Sequence, residues 1–320
     1  MNPMTKVLIV SVFYNRESLV ESSVKSVVNQ MTNDMHLILV DDGSTDSTLC
    51  QLKLWEAENV TVIGQANMGF VKAINKAIAA IDSSYIAIHG AGDRSLPGRF
   101  KKQASVLDGD PRIGVVGCHY LSRVEGSTMS GRVVMSRISE HPETLMVRTN
   151  PFSHGEVMFR RSLFDGVGGY REFFTYAQDR DLWCRLSHLC MFKVIQETLY
   201  ERLAYLPGSV SGNPEKSVRQ RYLSAFAVHC HKERIRNKRD PLTELGQAAF
   251  DKFTPPFSLA FDFFRKSIRS LSVHDLNAYS IYKQECQKIS KVFSFVYIFV
   301  DMFPDLVRKI VRITSPKFVR

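Results

Sequence analysis

Carboxylates stand at two points of this sequence where a ligand could meet them. Asp41 and Asp42 directly follow the unbroken apolar run 37–40, and Asp93 closes the segment 89–93, which holds two glycines. An apolar run without alternation predicts a strand buried on both faces. Acids at the carboxyl end of such a strand lie at the sheet edge where α/β proteins bind ligands. Because Asp is also common in turns and caps, Asp41 and Asp42 are alternatively only turn residues.

Asp93 is suited to hold a cation. Gly90 and Gly92 lack a Cβ, so the backbone there can approach a ligand closely. Mg²⁺ needs few protein oxygens when substrate phosphates complete its shell, and one carboxylate at a sheet edge is then enough. The alternative is a plain turn in which Asp93 caps a helix that begins near Pro97.

Alternating strands and helices position these acids. Four apolar runs predict buried strands, at 7–12, 37–40, 60–63 and 85–88. Between the first two runs, valines recur at helical spacing over 20–28. This order predicts βαβ units and a mixed, mostly parallel sheet flanked by helices, an α/β fold. The glycine-rich loops of dinucleotide-binding and P-loop proteins are missing from the sequence.

Charge divides the 320-residue chain into two parts. Residues 1–210 carry 22 basic and 22 acidic side chains, whereas residues 211–320 carry 20 and 10, so the whole net charge of +10 lies in the second part. This predicts a neutral body and a basic extension with an anionic partner, either a membrane surface or a nucleic acid. No recognisable RNA- or DNA-binding module accompanies the charge, so we predict no nucleic-acid partner.

Cysteine spacing and hydropathy indicate the compartment. The six cysteines form no Cys-x-x-Cys pair and no zinc spacing, which is typical of a reducing compartment. The first residues lack a signal-peptide pattern, and no apolar run reaches about 18 residues, so we predict no transmembrane helix. These features predict a cytoplasmic location.

Linked motifs over residues 5–211 resemble those of the family-2 glycosyltransferases, which have the GT-A fold. They occur in the family's order and spacing: Tyr14-Asn15, Asp41-Asp42-Gly43-Ser44, Asn67-Met68-Gly69, Gly92-Asp93 with Leu96-Pro97-Gly98-Arg99, Asn150-Pro151-Phe152-Ser153-His154-Gly155 and Gln178-Asp179-Arg180-Asp181-Leu182-Trp183. The resemblance implies an inverting enzyme that takes a sugar from a nucleotide donor. The Gln-x-x-Arg-Trp segment of processive synthases is missing, so we expect a non-processive enzyme.

The resemblance implies a donor site at the sheet edge. Asp42 is matched to the residue that accepts the uracil imide N–H, with Asp41 or the loop from Val12 to Tyr14 framing base and ribose. Asp93 is matched to the ligand of a divalent metal, Mn²⁺ or Mg²⁺. Further donor contacts are expected from Asn67, Gly69, Gly92 and Arg202, of which Arg202 resembles the segment that closes over the diphosphate. The expected donor is a UDP- or dTDP-sugar.

The same resemblance implies an acceptor site. Asp179 is matched to the base that deprotonates the acceptor hydroxyl, with acceptor contacts expected from His154, Asp181 and Trp183. A helix that begins near Asp179 stabilises its carboxylate and weakens it as a base, unless bound acceptor desolvates it. Alternatively, Asp179 and Asp181 only cap that helix, His154 is structural and Trp183 belongs to the core.

Two departures from the family pattern keep a second function open. The family commonly has Asp-Ala-Asp-Asp where this chain has Gly90-Ala91-Gly92-Asp93, and Glu-Asp where it has Gln178-Asp179. Only one acid of the usual motif thus remains to bind metal. The alternative to a transferase is a nucleotide-sugar-binding or scaffold protein that keeps the fold without turnover.

These predictions divide the chain into three segments. Residues 1–105 form the nucleotide-sugar half of the GT-A domain, 106–211 its acceptor half and 212–320 a basic helical extension. Aromatic and basic residues accompany each other over 255–320, which suits the surface of an anionic membrane; the alternative is an oligomerisation tail. We expect a peripheral enzyme on the inner face of the cell membrane that builds O-antigen, capsule or a similar glycan on a glycan or polyprenyl-linked acceptor.

Overall fold

The computed structural model describes residues 5–124, 131–204 and 212–314, which fall into two compact units, 1–204 and 205–320. The predicted segment boundary at residue 211 lies outside the described residues. The division of the first unit into halves at residue 105 remains a prediction.

The first unit is built on one mixed sheet. Its strands are β1 (Val7–Phe13), β2 (Met35–Asp42), β3 (Val60–Gln65), β4 (Tyr85–Ile88), β5 (Arg94–Ser95), β6 (Ile113–Val124), β7 (Arg132–Val134), β8 (Met158–Arg160) and β9 (Met191–Ala204). Within the described residues their order is β3-β2-β1-β4-β8-β6-β9-β5, with β7 paired to β6. The strands β3, β2, β1 and β4 are parallel, whereas β8 is antiparallel to both neighbours. This confirms the predicted α/β class.

Helices cover both faces of this sheet. They are α1 (Val20–Val28), α2 (Thr48–Lys53), α3 (Phe70–Ala80), α4 (Arg99–Gly109), α5 (Pro142–Arg148), α6 (Arg161–Gly166) and α7 (Gln178–Leu186). Leu37 and Leu39 pack in one core with α1 and α4, while Ile38 and Val40 pack in another with α3 and α7. β2 is therefore buried on both faces, as its unbroken apolar run predicts.

The second unit is helical. Its elements are α8 (Pro214–Asn237), α9 (Pro241–Leu245), α10 (Gln247–Asp251), α11 (Phe257–Ser272), α12 (Leu276–Ile289), α13 (Val292–Met302) and α14 (Pro304–Thr314). Phe263, Tyr282 and Tyr297 belong to its core, which confirms the predicted helical extension. Among the described residues, no helix combines the length and apolarity that a membrane crossing requires.

Candidate functional site

The carboxyl ends of β1 and β2 meet at one edge of the sheet. Phe13 is paired with Asp41 in the parallel ladder, so the loop that begins at Tyr14 lies beside the end of β2. Val12 is partly buried against the core, whereas Tyr14 is exposed. The predicted framing loop therefore adjoins the two acids, with the Tyr14 ring facing solvent.

Asp42 holds the loop that follows β3. Its Oδ1 accepts hydrogen bonds from Gln65 Nε2 and from the Met68 backbone N–H, and its Oδ2 accepts one from the Gly69 N–H, each at 3.0 Å. Gly69 has φ +87°, a conformation that suits glycine at this turn. Asn67 and Gly69, both predicted donor contacts, thus belong to a loop that the Asp42 carboxylate fixes.

Asp41 points to the opposite face from Asp42, because side chains alternate along a strand. Its Oδ2 accepts a hydrogen bond from the Ser44 N–H at 3.1 Å, while its buried Oδ1 has no hydrogen-bond partner in the described part of the chain. The Ser11 hydroxyl, on the same face of neighbouring β1, is likewise buried without a partner there. An unsatisfied buried acceptor costs roughly 1–3 kcal/mol, which an N–H of a bound base would offset.

Asp93 is held by β9, more than a hundred residues further along the chain. Its Oδ2 accepts a hydrogen bond from Tyr200 Oη at 2.6 Å, and its Oδ1 accepts one from the Leu203 N–H at 2.8 Å. Burial raises the pKa of the Asp93 carboxyl, and these hydrogen bonds and the charges of Arg202 and Arg99 oppose that rise. Arg202 therefore lies within electrostatic reach of Asp93, as its predicted role at the diphosphate requires.

Gly90 and Gly92 have a steric reason to stand where the family commonly has acids. A Cβ at Gly90 would lie 2.3 Å from Asp93 Oδ2, and the Gly90 N–H donates to Tyr200 Oη at 2.9 Å. Gly92 has φ +93°, and a Cβ there would lie 2.6 Å from Leu19 Cδ1. A donor contact at Gly92 would accordingly be made by its backbone.

Asp93 is the carboxylate that the family resemblance matched to the ligand of a divalent metal. Among the described residues, no three His, Cys, Asp or Glu side chains are grouped to hold a metal ion. The ring of His89 is engaged by Ser23 at Nε2 and Ser95 at Nδ1, both at 3.0 Å, and burial lowers its pKa to about 3. Both Asp93 oxygens already accept hydrogen bonds, from Tyr200 and Leu203, so a cation beside this single carboxylate would need most of its ligands from substrate phosphates.

Glu156 is a buried acid that sequence reasoning missed. Its Oε1 accepts a hydrogen bond from the Ser153 N–H at 2.6 Å, and its Oε2 has no hydrogen-bond partner among the described residues. Burial raises the Glu156 pKa to about 8, a rise that the Ser153 bond and the charges of Arg99 and Arg202 only limit. An acid inside the apolar stretch 155–159 was the signal that could have revealed it.

Asp179 lies in the first turn of α7 and contacts Asn150, another residue without a predicted role. Asn150 Nδ2 donates to Asp179 Oδ2 at 2.9 Å, while Asn150 Oδ1 is buried without a partner in the described residues. Burial lowers the pKa of His154, and the nearby Asp179 charge opposes this. His154 Nε2 is 2.7 Å from Tyr170 Oη. The sequence motif at 150–155 includes Asn150, but it did not predict the hydrogen bond from Asn150 to Asp179.

Asp181 and Trp183 have structural positions instead of the predicted acceptor contacts. Both side chains are 0% exposed. Asp181 Oδ2 accepts hydrogen bonds from Arg171 Nε at 3.1 Å and Arg185 Nη2 at 2.8 Å. The Trp183 ring packs edge-on against the Phe152 ring, with centroids 5.8 Å apart. Neither side chain is accessible to an acceptor, because α7 directs Trp183 into the core and Asp181 into the buried ion pairs with Arg171 and Arg185.

The segment 154–155 connects the two ends of the site. The Phe70 ring, next to the Asp42-bound Gly69, meets the His154 ring edge-on with centroids 5.6 Å apart. The charge of Asp179 reaches the same His154 ring. The loop that Asp42 holds and the carboxylate of Asp179 are thus both neighbours of His154.

The same segment borders the residues that hold Asp93. A Cβ at Gly155 would lie 2.1 Å from Tyr200 Oη, the atom that donates to Asp93. A pocket of about 320 Å³ opens beside Asn150 and is lined by Tyr120 and by the segments 134–137 and 149–152. The acids at 42, 93 and 179 therefore lie in one region of the first unit, with this pocket next to Asn150.

Known proteins are similar to this chain in sequence. The model of "Glycosyl transferase family 2" matches residues 8–168. EpsE of Bacillus subtilis (strain 168), named as a glycosyltransferase, is 31% identical over 192 residues, which cover 58% of this chain and 68% of EpsE. The amylovoran biosynthesis glycosyltransferase AmsE of Erwinia amylovora is 28% identical over 182 residues, which cover 55% of this chain and 67% of AmsE.

Solved structures share the fold. S. aureus TarS 1-349 in complex with UDP-GlcNAc superposes with a TM-score of 0.58 at 15% identity, covering 88% of this chain and 92% of TarS 1-349. The mannosyltransferase PcManGT from Pyrobaculum calidifontis, in complex with GDP-Man and Mn²⁺, has a TM-score of 0.52 at 15% identity, covering 97% and 88%. Because the family model spans half of the chain and takes in Asp42, Asp93 and His154, this protein belongs to glycosyl transferase family 2 and is a glycosyltransferase.

Proposed function

We propose that this enzyme is inverting and non-processive and moves a sugar from a UDP- or dTDP-sugar to a glycan or lipid-linked acceptor in cell-surface polysaccharide synthesis. The grouping of Asp42, Asp93 and Asp179 around segment 154–155 carries this proposal. The nucleotide sugars bound to TarS and PcManGT support the donor class, and the amylovoran-synthesis name of AmsE supports a polysaccharide product.

In this proposal the nucleotide base binds at the carboxyl end of β2. The oxygens of Asp42 already accept three hydrogen bonds from the loop 65–69, whereas Asp41 Oδ1 accepts none from the residues that the structure describes. We therefore assign the imide N–H to Asp41, although the family resemblance put Asp42 first. Asp42 then shapes the site by holding Asn67 and Gly69 in place.

In this proposal the donor diphosphate lies between Asp93 and Arg202. Asp93 would hold a divalent cation together with the phosphates, and this cation would supply neutralisation of the departing diphosphate. The Arg202 guanidinium can pair with phosphate oxygens directly. The absence of side chains at Gly90 and Gly92 leaves room for Asp93 and Leu19 beside this site.

Asp179 is the proposed base for the acceptor hydroxyl. Asn150 holds Asp179 Oδ2, so that Oδ1 can take the hydroxyl proton. The acceptor oxygen then bonds to the anomeric carbon while the bond from that carbon to the diphosphate breaks. This single displacement inverts the anomeric centre and needs no carboxylate nucleophile. The pocket beside Asn150 and the ring of His154 are the proposed acceptor surface.

Replacement of the base tests this function. Asp179→Asn should spare donor binding, measured as a thermal shift with UDP-sugars, and reduce release of nucleoside diphosphate by about 10²–10⁴-fold. The matched control Asp82→Asn removes an acid from the same unit whose side chain is 89% exposed, and should leave both unchanged. Turnover retained in Asp179→Asn would refute the base role.

The second candidate function is a nucleotide-sugar-binding or scaffold protein without turnover, which Gly90 and Gly92 favour. Nucleotide release that depends on Asp179 would exclude it. The metal role is tested separately, since Asp93→Ala should remove any stimulation by Mn²⁺ or Mg²⁺. If the unaltered enzyme is equally active in a chelator, Asp93 has another task.

We further propose that residues 255–320 contact an anionic membrane surface from the cytoplasmic side, which would bring the enzyme to a polyprenyl-linked acceptor. The excess of basic residues after residue 210 supports this proposal. Removal of residues 255–320 should abolish flotation with anionic liposomes. If flotation persists, or if the full chain instead forms oligomers through this segment, the oligomerisation alternative takes its place.

A further inference from the structure

A pocket of about 670 Å³ opens within the second unit, between α8, α11, α13 and α14. Its polar lining consists of four cationic side chains and one acid: Arg221, Arg265, Lys266, Arg269 and Asp262. The rest of its lining is apolar and includes Phe264, Phe299, Val307 and Ile310. The pocket therefore combines a cationic side with a hydrocarbon side.

Basic side chains outnumber acidic ones on the cationic side of the pocket lining. Arg221 Nε lies 3.3 Å from Asp262 Oδ2, which accounts for one ion pair. Burial lowers the pKa of Lys266, and the charges of Arg221 and Arg269 lower it further, against the opposing effect of Asp262. Like charges crowded at a partly buried position repel each other until an anion compensates them. The charge balance thus favours a bound anion.

The apolar side continues to the protein surface. Phe299 and Ile310 line the pocket and are still 52% and 48% exposed. Ile298 on α13 and Leu306 on α14 are exposed as well and extend this apolar surface. Apolar surface beside a cluster of cations is the pattern of helices that lie at a lipid headgroup boundary.

We propose that this pocket binds a single anionic membrane lipid. The phosphate headgroup would lie against Arg265, Lys266 and Arg269, and the first part of an acyl chain against Phe299 and Ile310. A free phosphate would leave the apolar side uncovered, and an uncharged hydrocarbon would make no contact with the cationic side. The inference rests on the proposed membrane contact and makes it specific, but it does not depend on sugar transfer.

Calorimetry on the full chain tests the headgroup contact. The probe is dihexanoyl phosphatidic acid below its critical micelle concentration, and inorganic phosphate and dihexanoyl phosphatidylcholine are the comparison ligands. The double variant Arg265→Gln/Arg269→Gln should bind the probe about 30-fold more weakly, which corresponds to about 1 kcal/mol for each cation. The control Arg236→Gln/Arg239→Gln removes the same charge from exposed positions outside the lining and should bind like the unaltered chain.

A second pair of variants tests the hydrocarbon contact. Phe299→Ser should weaken binding of phosphatidic acid, whereas Phe295→Ser, on the same helix but outside the pocket lining, should not. Equal affinity for inorganic phosphate and phosphatidic acid would overturn the lipid assignment. If both double arginine variants lost the same affinity for phosphatidic acid, the attraction would be diffuse, and the assignment of the lipid to this pocket would be wrong. Flotation with anionic liposomes without binding of the monomeric lipid would refute this inference and leave the proposed membrane contact standing.

Discussion

Asn150 and Asp179 are 29 residues apart in the chain and are joined by a hydrogen bond of 2.9 Å from Asn150 Nδ2 to Asp179 Oδ2. The amide thereby fixes the orientation of the carboxylate at the start of α7. In the proposed mechanism this contact leaves Asp179 Oδ1 to face the acceptor hydroxyl.

Asn150→Ala should slow turnover. The variant removes the amide that orients the Asp179 carboxylate, and one hydrogen bond to a charged group is worth about 1.5 kcal/mol, which predicts a kcat roughly tenfold lower. Nucleoside diphosphate release measures kcat, and a thermal shift with a UDP-sugar should show unchanged donor binding. Thr144→Ala changes an exposed residue of α5 outside the pocket lining and should leave kcat unchanged; an unchanged kcat in Asn150→Ala would contradict the positioning role.

Asp41→Asn and Asp42→Asn should separate donor binding from stability. Asp41→Asn should weaken UDP binding about tenfold at an unchanged Tm, because it alters an oxygen that has no hydrogen-bond partner among the described residues. Asp42→Asn should lower the Tm by about 3–6 °C, because the loop 65–69 loses a charged acceptor. Calorimetric titration with UDP and thermal melts measure the two effects. If UDP binding were instead lost only in Asp42→Asn, Asp42 and not Asp41 would be the residue that contacts the nucleotide base.

Glu156 should make the first unit less stable as pH rises. Its pKa of about 8 in the folded protein lies above the ordinary glutamate value of 4.5, so the native state binds an extra proton between these two pH values. Stability should therefore fall on the order of 1.4 kcal/mol per pH unit across that window and level off above pH 8. Glu156→Gln mimics the protonated acid and should remove this fall in Tm between pH 6 and 8. Glu58→Gln, at an exposed position, should melt like the unaltered chain; an identical fall in Glu156→Gln would exclude Glu156 as its source.

Tyr200→Phe should weaken the diphosphate site without unfolding the sheet. The variant removes the hydroxyl that donates to Asp93 and accepts from the Gly90 N–H. Asp93 then loses a donor that stabilises its charged form, and UDP binding in the presence of Mg²⁺ should weaken about tenfold. Tyr85→Phe removes a similar tyrosine–carboxylate bond, to Asp108 at 2.8 Å, and should leave UDP binding unchanged. Equal binding in the two variants would separate Tyr200 from the donor site.

Local patterns predicted much of the candidate site. The apolar run before Asp41 predicted a doubly buried strand, and the structure places that strand between two cores. The motif around Asp179 predicted a residue in the first turn of a helix, where α7 has it. The same motif suggested acceptor contacts at Asp181 and Trp183, which are instead buried. A motif names neighbours in the chain, but helical geometry decides which of them face the core.

The order of strands and helices could be predicted from the amino-acid sequence, and so could the basic character of the second unit. The position of Asp41, Asp42 and Asp93 after the carboxyl ends of strands was predictable too. Each of these features depends on residues that are close together in the chain. Tertiary structure alone decided which carboxylate oxygens are occupied: Asp42 by its loop, Asp93 by Tyr200 and Leu203, and Asp179 by Asn150. Those partners come from distant segments that meet only when the sheet and its cores pack. The periodicity of the sequence does not predict these long-range contacts, because hydrogen bonds between side chains far apart in the chain depend on tertiary packing.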